Sequence, residues 1–517
     1  MRGPTNDRDC GENELVTSAT ALFRPDTLDE LLFETFPGLV MRKDLTGAIR
    51  GMSKAPSYVI EFMLGKYCAN LFDEEDVREG LRLVKEEVAR YIPRGDETEA
   101  IKSRIKERPP HRLIDMVKVE LDENLDKGVY WASFLSANLQ HVNIRTDLVE
   151  KYQRLLMAGV WSNVLVNYDD TIKFGKRTFP FVIERLEPVQ VGNIDFPEYC
   201  RGRARFTRDQ WIDALVRTMG YEAADPRLTD RVKLLYLTRM IPLVESNYHM
   251  IELGPRQTGK SFCFTEFSPY GTLLAGGSVT VPKLFVSNTQ PPRLGMVTQR
   301  DVIGFDEIAG SAFDADDDKN LYKAYMESGQ INRGTITVAG DAGFVFNGNI
   351  DFDPRRAMLA AHLFKPLPTS ISDDAAFHER WAAYLPGWEI PKLTPDLLTP
   401  HVGFILDYTS EMFHRELRRI GSYGTLWDRW FEIQGPQVSA RDMRSINRTF
   451  SGLTKLIFPD GSMSKEDARV LLRHALELRL RVRVQLHMIG PEEFPLTEFS
   501  FLDLGTGHAE TVRLEQA

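Results

Sequence analysis

Cysteine is scarce in this chain. Its 517 residues include four, Cys10, Cys68, Cys200 and Cys263, far apart and without a Cys-x-x-Cys pair. That spacing supports neither a disulfide framework nor a paired-cysteine metal site, and it points to free thiols in a reducing compartment. Long apolar runs are missing too: none approaches the roughly 20 residues a membrane span needs. The first thirteen residues are polar and charged, with no apolar core of a secretory signal. A cytoplasmic protein with no membrane partner is therefore expected. Positive charge is not in surplus. Lys and Arg number 64 against 74 Asp and Glu, a net charge of −10. This excludes a uniformly basic nucleic-acid binder but not a basic channel inside an acidic shell. What remains is ordinary for a globular protein, 43% hydrophobic and 27% charged, and the length exceeds what one core organises, so two or three domains are expected.

The most informative stretch is 248–263. A short apolar strand, Tyr248 to Leu253, breaks into Gly254-Pro255-Arg256-Gln257-Thr258-Gly259-Lys260-Ser261-Phe262. This is the phosphate-loop pattern Gly-x-x-x-x-Gly-Lys-Ser. Its glycines let the backbone curl so that N–H groups converge on a phosphate chain. The helix that should follow turns its positive end to the same anion. Lys260 is the residue type that reaches the β- and γ-phosphates, and the Ser261 hydroxyl is a Mg²⁺ ligand. ATP and Mg²⁺ are the expected cofactors. Downstream, Asp301-Val-Ile-Gly-Phe-Asp306-Glu307 reads as a buried strand ending in two carboxylates. Adjacent buried acids are costly unless a metal or partner compensates. Asp306 is expected to hold Mg²⁺ through water, and Glu307 to polarise the attacking water.

Taken in order, residues 1–25 read as a flexible tail. Helical periodicity predicts helices over 27–36, 57–72 and 74–91, and Arg42 and Lys43 form a basic patch between the first two. The stretch 94–112 is rich in cations, among them Lys102 and Arg104. They are either phosphate contacts or one solvated helix face, since acids interleave with them. From 114 the period changes to alternation, and strands over 115–121, 129–135, 142–145, 160–168 and 178–186 predict a small β-rich unit, for which a barrel is one arrangement. A linker is expected around 192–206. Thr207-Arg-Asp-Gln210 is a capping box that opens a helix. Residues 329–340, framed by glycines and alternating, read as a hairpin, and 344–349 as another buried strand with a polar end. From about 399 the pattern reads as wholly helical.

The expected fold class is multidomain α/β. A tail over 1–25 precedes an N-terminal α+β DNA-binding domain at 26–195, with a helical part and a small β-rich unit. A P-loop α/β core with a parallel sheet covers 196–400. A helical lid at 401–490 and a C-terminal tail at 491–517 complete the chain.

Phosphate loop, acidic pair, polar strand end, arginine, helical lid is the order found in AAA+ ATPases. On that likeness Asn349, or alternatively Asn347, stands where a first sensor positions the lytic water. Arg380, with Arg355-Arg356 as a rival pair, stands where a neighbouring subunit's arginine finger is expected. Arg441 stands where a second sensor touches the γ-phosphate. The strings Phe36-Pro-Gly-Leu-Val-Met-Arg-Lys-Asp-Leu45, Tyr58-Val-Ile-Glu-Phe-Met-Leu-Gly-Lys-Tyr-Cys68, Phe305-Asp-Glu-Ile-Ala-Gly310 and Leu385-Pro-Gly-Trp-Glu-Ile-Pro391 make the resemblance narrower. Over about 28–505 the chain resembles the BrxL family, the Lon-like AAA+ proteins of BREX phage-defence systems. The resemblance implies antiviral defence beside other BREX components, a hexamer or stacked double hexamer, and double-stranded DNA in a central channel. Longer members of that family carry a C-terminal Lon-protease-like domain. This chain stops where that domain would begin, and Ser462-Met-Ser464-Lys465 reads as a helix cap rather than a peptidase dyad, so no peptidase activity is expected.

The core also resembles MCM-type helicases. Tyr325-Met-Glu-Ser-Gly-Gln-Ile-Asn-Arg333 looks like the lead-in to their pore hairpin, which makes Arg333 the first expected DNA contact and Lys283 a second. Arg42, Lys43, Lys102 and Arg104 are the N-terminal candidates. The segment between the two nucleotide motifs lacks the aromatic–apolar–Gly loop with which Lon-type unfoldases grip polypeptide. A DNA-encircling or translocating ATPase is therefore the leading expectation. The alternatives are an ATP-dependent protein unfoldase and a nucleotide-gated DNA-bound scaffold with little turnover.

Overall fold

The computed structural model describes residues 23–514, apart from 70–72, 123–128, 157–158, 175–176, 190, 193, 276–279, 288–292, 307–315, 334–335, 350–361 and 365–366. These residues fall into two compact units. One comprises the chain up to 193 together with Thr399–Tyr408, and the other Ile194–Leu398 together with the chain from 409 onward.

In the first unit, helix Thr27–Thr35 starts at Asp26, whose carboxylate caps Leu28 and Asp29 N–H while Asp29 reaches back. Helix Ser57–Cys68 and helix Glu74–Tyr91 follow, the latter burying Val77, Val84 and Val88 at helical spacing. The returning segment contributes strand Val402–Phe404, paired antiparallel with Val40–Arg42. Strands His111–Asp122, Val129–Phe134, Val142–Ile144, Phe181–Pro188 and Val160–Tyr168 close, in that order, into a barrel. Alternation puts Val117, Val119, Val164 and Val166 inside, and helix Thr98–Glu107 adds Ile101 and Ile105 to the same core. Closure leaves no unpaired sheet edge.

The second unit is built on five parallel strands in the order Gly271–Ala275, Val302–Asp306, Gly343–Asn349, Met250–Gly254, Ala383–Pro386. The first strand of this unit in the chain, Met250–Gly254, lies between Gly343–Asn349 and Ala383–Pro386 and is buried throughout. Phe344, Phe346, Phe377, Trp381 and Tyr325 fill one core with Val482 and Leu486 of the long helix Lys465–Ile489. Strands Gln330–Arg333 and Ile336–Ala339 form a two-stranded antiparallel hairpin.

The part beyond 399 departs from the helical expectation. Helices Ala440–Ile457 and Lys465–Ile489 are there, but so is a three-stranded antiparallel sheet of Phe431–Gln434, Phe499–Asp503 and Ala509–Val512. Its strands are short, and Phe431–Gln434 pairs with Phe499–Asp503 across more than sixty residues, so no local run announces that pairing; Phe499–Asp503 and Ala509–Val512 pair locally. Phe499 and Phe501 are buried and Ser500 between them is not, which was the available signal.

Candidate functional site

The phosphate loop leaves the C-terminal end of Met250–Gly254 and turns through two left-handed residues, Gln257 (φ 66°) and Gly259 (φ 73°). A side chain at Gly254 would collide with the backbone of Gly387, and one at Gly259 with the Tyr221 hydroxyl. The loop is thus held against its surroundings at both glycines. Lys260 Nζ donates to the Gly254 carbonyl (3.0 Å), the Pro255 carbonyl (2.9 Å) and Asn349 Oδ1 (3.2 Å). Burial pulls its ammonium below the usual lysine range. Ser261 Oγ donates to Asp306 Oδ2 at 3.2 Å. The two motifs therefore meet through the ends of three neighbouring strands. Asn349, rather than Asn347, reaches Lys260; Asn347 is fully buried opposite Glu252, with neither side-chain polar atom bonded. Glu307 and the rival pair Arg355-Arg356 lie outside the described residues.

The helix after the loop, Phe262–Thr265, is a single turn, shorter than expected. Pro269 follows closely and disfavours helix in the residue before it. The cradle accordingly rests on loop N–H groups and Lys260, with little help from a helix dipole.

One support was not anticipated. Arg239 is fully buried beneath the loop. It donates to both oxygens of Glu252, itself within the phosphate-loop strand, at 2.9 and 2.6 Å, and to the Thr258 carbonyl at 2.8 Å. One guanidinium thus ties the helix Asp230–Val244 to strand and loop together. An arginine in the apolar second half of that helix and a lone glutamate in an apolar strand were the signal.

Arg380 and Arg441 come together, but at the other end of the same sheet. They share a cleft with His249 and Ala382, the residues just before strands Met250–Gly254 and Ala383–Pro386, and with Glu327, Arg444 and Arg448. Glu327 accepts from Arg441 (2.7 Å) and Arg444 (3.0 Å) and lies 3.5 Å from Arg380 Nε. Arg441 also bonds Glu379, and Arg380 donates to the Lys323 carbonyl at 2.9 Å. Burial would raise the Glu327 pKa, but the arginines outweigh it and hold it below the ordinary value. Five strand residues separate this cleft from the loop, on the order of 15 Å. No arginine side chain spans that, so within one chain these cations do not reach the phosphate loop.

Two of the expected DNA contacts are corrected. Lys43 is buried and donates to both oxygens of Glu61 (2.8 and 2.7 Å) and to the Phe404 carbonyl. Arg42 is buried, paired with Asp44 at 2.6 Å and stacked on Phe23. Both cations are spent on the fold of the first unit and are not available to a phosphate. Lys102 and Arg104 lie on the outer face of helix Thr98–Glu107, near Glu99 (2.6 Å) and Glu97 (3.9 Å) respectively. Lys283 is exposed on the short helix Val281–Leu284. Position 333 ends the first hairpin strand, but its side chain is outside the described residues.

A parallel sheet in this order, with a phosphate loop on one strand end, an asparagine at the end of the adjacent strand and an acid at the end of the strand beyond it, defines the class as a P-loop ATPase domain. Residues 181–500 match the family model for the ATPase domain of Lon-like protease BrxL-like proteins, and residues 34–168 that for the N-terminal part of the BREX system Lon protease-like protein BrxL. The chain is 41% identical over 476 residues to the Lon-like protease BrxL of Escherichia coli O9:H4 (strain HS), covering 92% of this chain and 67% of that protein. It is 40% identical over 483 residues to its Bacillus cereus (strain H3081.97) counterpart, covering 93% and 70%. The chain belongs to the BrxL family.

Proposed function

We propose that the chain is a ring-forming ATPase that encircles or translocates on double-stranded DNA in BREX-type antiphage defence, in the cytoplasm. The observation that carries the ring is the split site. Lys260, Ser261, Asp306 and Asn349 gather at one end of the sheet, while Arg380 and Arg441 gather at the other. A chain with half a site at each end completes it by meeting its own kind head to tail, the contact that generates a ring when its rotation closes.

The donor set fits a Mg²⁺-nucleotide. The glycine-walled turn leaves backbone N–H groups and a buried ammonium for phosphate oxygens, and a hydroxyl and a carboxylate stand 3.2 Å apart for the metal. Bound there, Mg²⁺ would neutralise charge on the phosphates as the terminal one is transferred. Ser261 and Asp306 would hold the metal, Lys260 the β- and γ-phosphates, and Asn349 the attacking water that Glu307 polarises. Arg380 and Arg441 of one subunit would approach the nucleotide of the next. Arg333 and Lys283, with Lys102 and Arg104 of the first unit, are the cations assigned to the DNA backbone. Among the described residues no helix is long and apolar enough to cross a membrane.

The test is steady-state ATP hydrolysis by the purified protein alone, with duplex DNA, and with an unfolded protein. A rate raised by DNA and not by protein is the expected result. Stimulation by protein only would replace this reading with an unfoldase. A low rate indifferent to both, with DNA bound, would replace it with a nucleotide-gated scaffold.

A further inference from the structure

The arginine cleft and the hairpin share a joint. Helix Asp316–Ser328 ends one residue after Glu327, and the hairpin starts at Gln330. The turn between them is tight. Gly329 is left-handed (φ 70°), and a Cβ there would stand 2.7 Å from Asn247 Nδ2. Ser328 Oγ accepts from Gln330 N–H at 3.1 Å, and Gly340 N–H donates back to the Gly329 carbonyl at 2.9 Å. Asn247 N–H donates to the Asp341 carbonyl at 2.9 Å, just past the hairpin's second foot, and Arg448 donates to the Asn247 carbonyl at 3.0 Å. Arg448 stands one turn along the helix Ala440–Ile457 from Arg444, and two turns from Arg441. The hairpin's second foot is thus bonded through Asn247 to Arg448, and its first foot follows directly on the helix end that carries Glu327.

At the centre stands one carboxylate. Glu327 meets Arg380, Arg441 and Arg444, which come from two separate elements. The cleft holds more guanidinium than carboxylate, so the arginines repel one another, and Glu327 is the carboxylate that stands within 3.5 Å of all three, while Glu379 takes a further bond from Arg441 and the Lys323 carbonyl one from Arg380. Glu327 in turn moves with the helix end that forms the hairpin's first foot. A side chain three to four bonds long, shared among three cations, transmits a shift of about an ångström as a new sharing of hydrogen bonds.

We propose that Glu327 is a positioning residue. It couples the hairpin, where a polyanion such as duplex DNA would press, to the arginines offered to a neighbouring subunit's nucleotide. The coupling rests on the ring-ATPase reading above. It adds a route by which DNA sets the hydrolysis rate without any DNA-contacting residue entering the nucleotide site.

The test uses the full chain, as wild type, Glu327→Gln, Glu327→Asp and Arg444→Ala. It reads ATP hydrolysis with and without duplex DNA, DNA affinity by fluorescence anisotropy, and oligomeric mass. Glu327→Gln is expected to assemble and to bind DNA as wild type does, yet to hydrolyse ATP equally fast with and without it. Glu327→Asp should recover part of the response. Arg444→Ala should lose part of it; that side chain is 49% exposed, so trimming it spares the core and decides the matter if Glu327→Gln does not assemble. Variants that respond to DNA by the wild-type factor would overturn the coupling alone. Loss of DNA affinity in Glu327→Gln would also overturn it, making Glu327 part of the DNA surface. A wild-type rate indifferent to DNA overturns the coupling and the DNA-driven reading together, and is seen without any variant.

Discussion

Arg239 sits on a helix whose neighbours in that stretch are leucine, tyrosine, methionine and isoleucine, and Glu252 sits in a strand between isoleucine and leucine. Both are fully buried, and each is the other's only compensating charge among the contacts described. Removing one partner of such a pair leaves a desolvated charge, which costs about 3–5 kcal/mol, whereas replacing both with apolar residues is often close to neutral. Arg239→Met is therefore expected to lower stability by about that amount in urea unfolding. Arg239→Met with Glu252→Leu should recover most of the loss. The double variant still lacks the bond to the Thr258 carbonyl, so its affinity for a fluorescent ATP analogue should stay below wild type. A double variant that binds nucleotide normally would reduce the pair to a packing device. Stability and binding thus separate the two jobs of one guanidinium.

The helix Lys465–Ile489 shows how an element is pinned by charge inside a core. Its Glu477 and Arg481 join Arg231 and Glu389 in a half-buried quartet with contacts of 2.5–3.0 Å, and Glu389 belongs to the turn whose Gly387 backs Gly254. Burial would raise the Glu477 pKa, but the Arg231 hydrogen bond and the charges of Arg481 and Arg231 overcome this and bring it to about 2, against 4.5 unperturbed. Its contribution is complete above pH 4.5 and is lost as pH falls towards 2. One turn away, burial holds His474 neutral, with its pKa brought from 6.5 to about 4. The unfolded chain takes up that proton first, so this contribution is complete above pH 6.5 and lost between 6.5 and about 4. His249, lowered to about 3 by burial, acts with the same sign. Melting temperature should therefore begin to fall below pH 6.5, well above the range in which Glu477 titrates, and His474→Gln should flatten part of that limb. A melting temperature unchanged between pH 6.5 and 4.5 would count against a neutral buried His474. Elements held by such tertiary pairs are also where sequence reading stopped. The barrel strands and Met250–Gly254 are legible because period-2 alternation or a bounded apolar run is a local property. Lys260, Ser261, Asp306 and Asn349 come together because their motifs mark the ends of adjacent parallel strands. Lys43 reads as part of a basic patch because nothing local reveals Glu61, eighteen residues on, whereas the partner of Arg42, Asp44, stands in the same string and was the available signal. The pairing of Phe431–Gln434 with Phe499–Asp503 was hidden by sequence distance, and the local pairing of Phe499–Asp503 with Ala509–Val512 by the shortness of its strands.

At the scale of the whole molecule, the separation of the loop from the arginine cleft is the fact with the most consequence. If each subunit offered both halves to its own nucleotide, damage to either would abolish activity subunit by subunit. Mixtures of two damaged proteins would then stay inactive. If the halves meet across an interface, Lys260→Ala spoils the site on one side of its subunit and Arg380→Ala the site on the other. Each homogeneous variant should then lose hydrolysis by about a thousandfold or more. Mixed before assembly, they should regain a fraction. An interface formed by the intact loop of the Arg380→Ala subunit and the intact arginine of the Lys260→Ala subunit is undamaged, and its frequency rises to a maximum at equal mixing. Recovery should follow that bell-shaped dependence on mixing ratio, and duplex DNA should raise it by the same factor as the wild-type rate. Phosphate release that stays at background at every ratio, in mixtures shown to co-assemble, would remove Arg380 from the interface. Arg441 would then be the arginine to carry through the same mixing series, because it shares Glu327 and the same cleft.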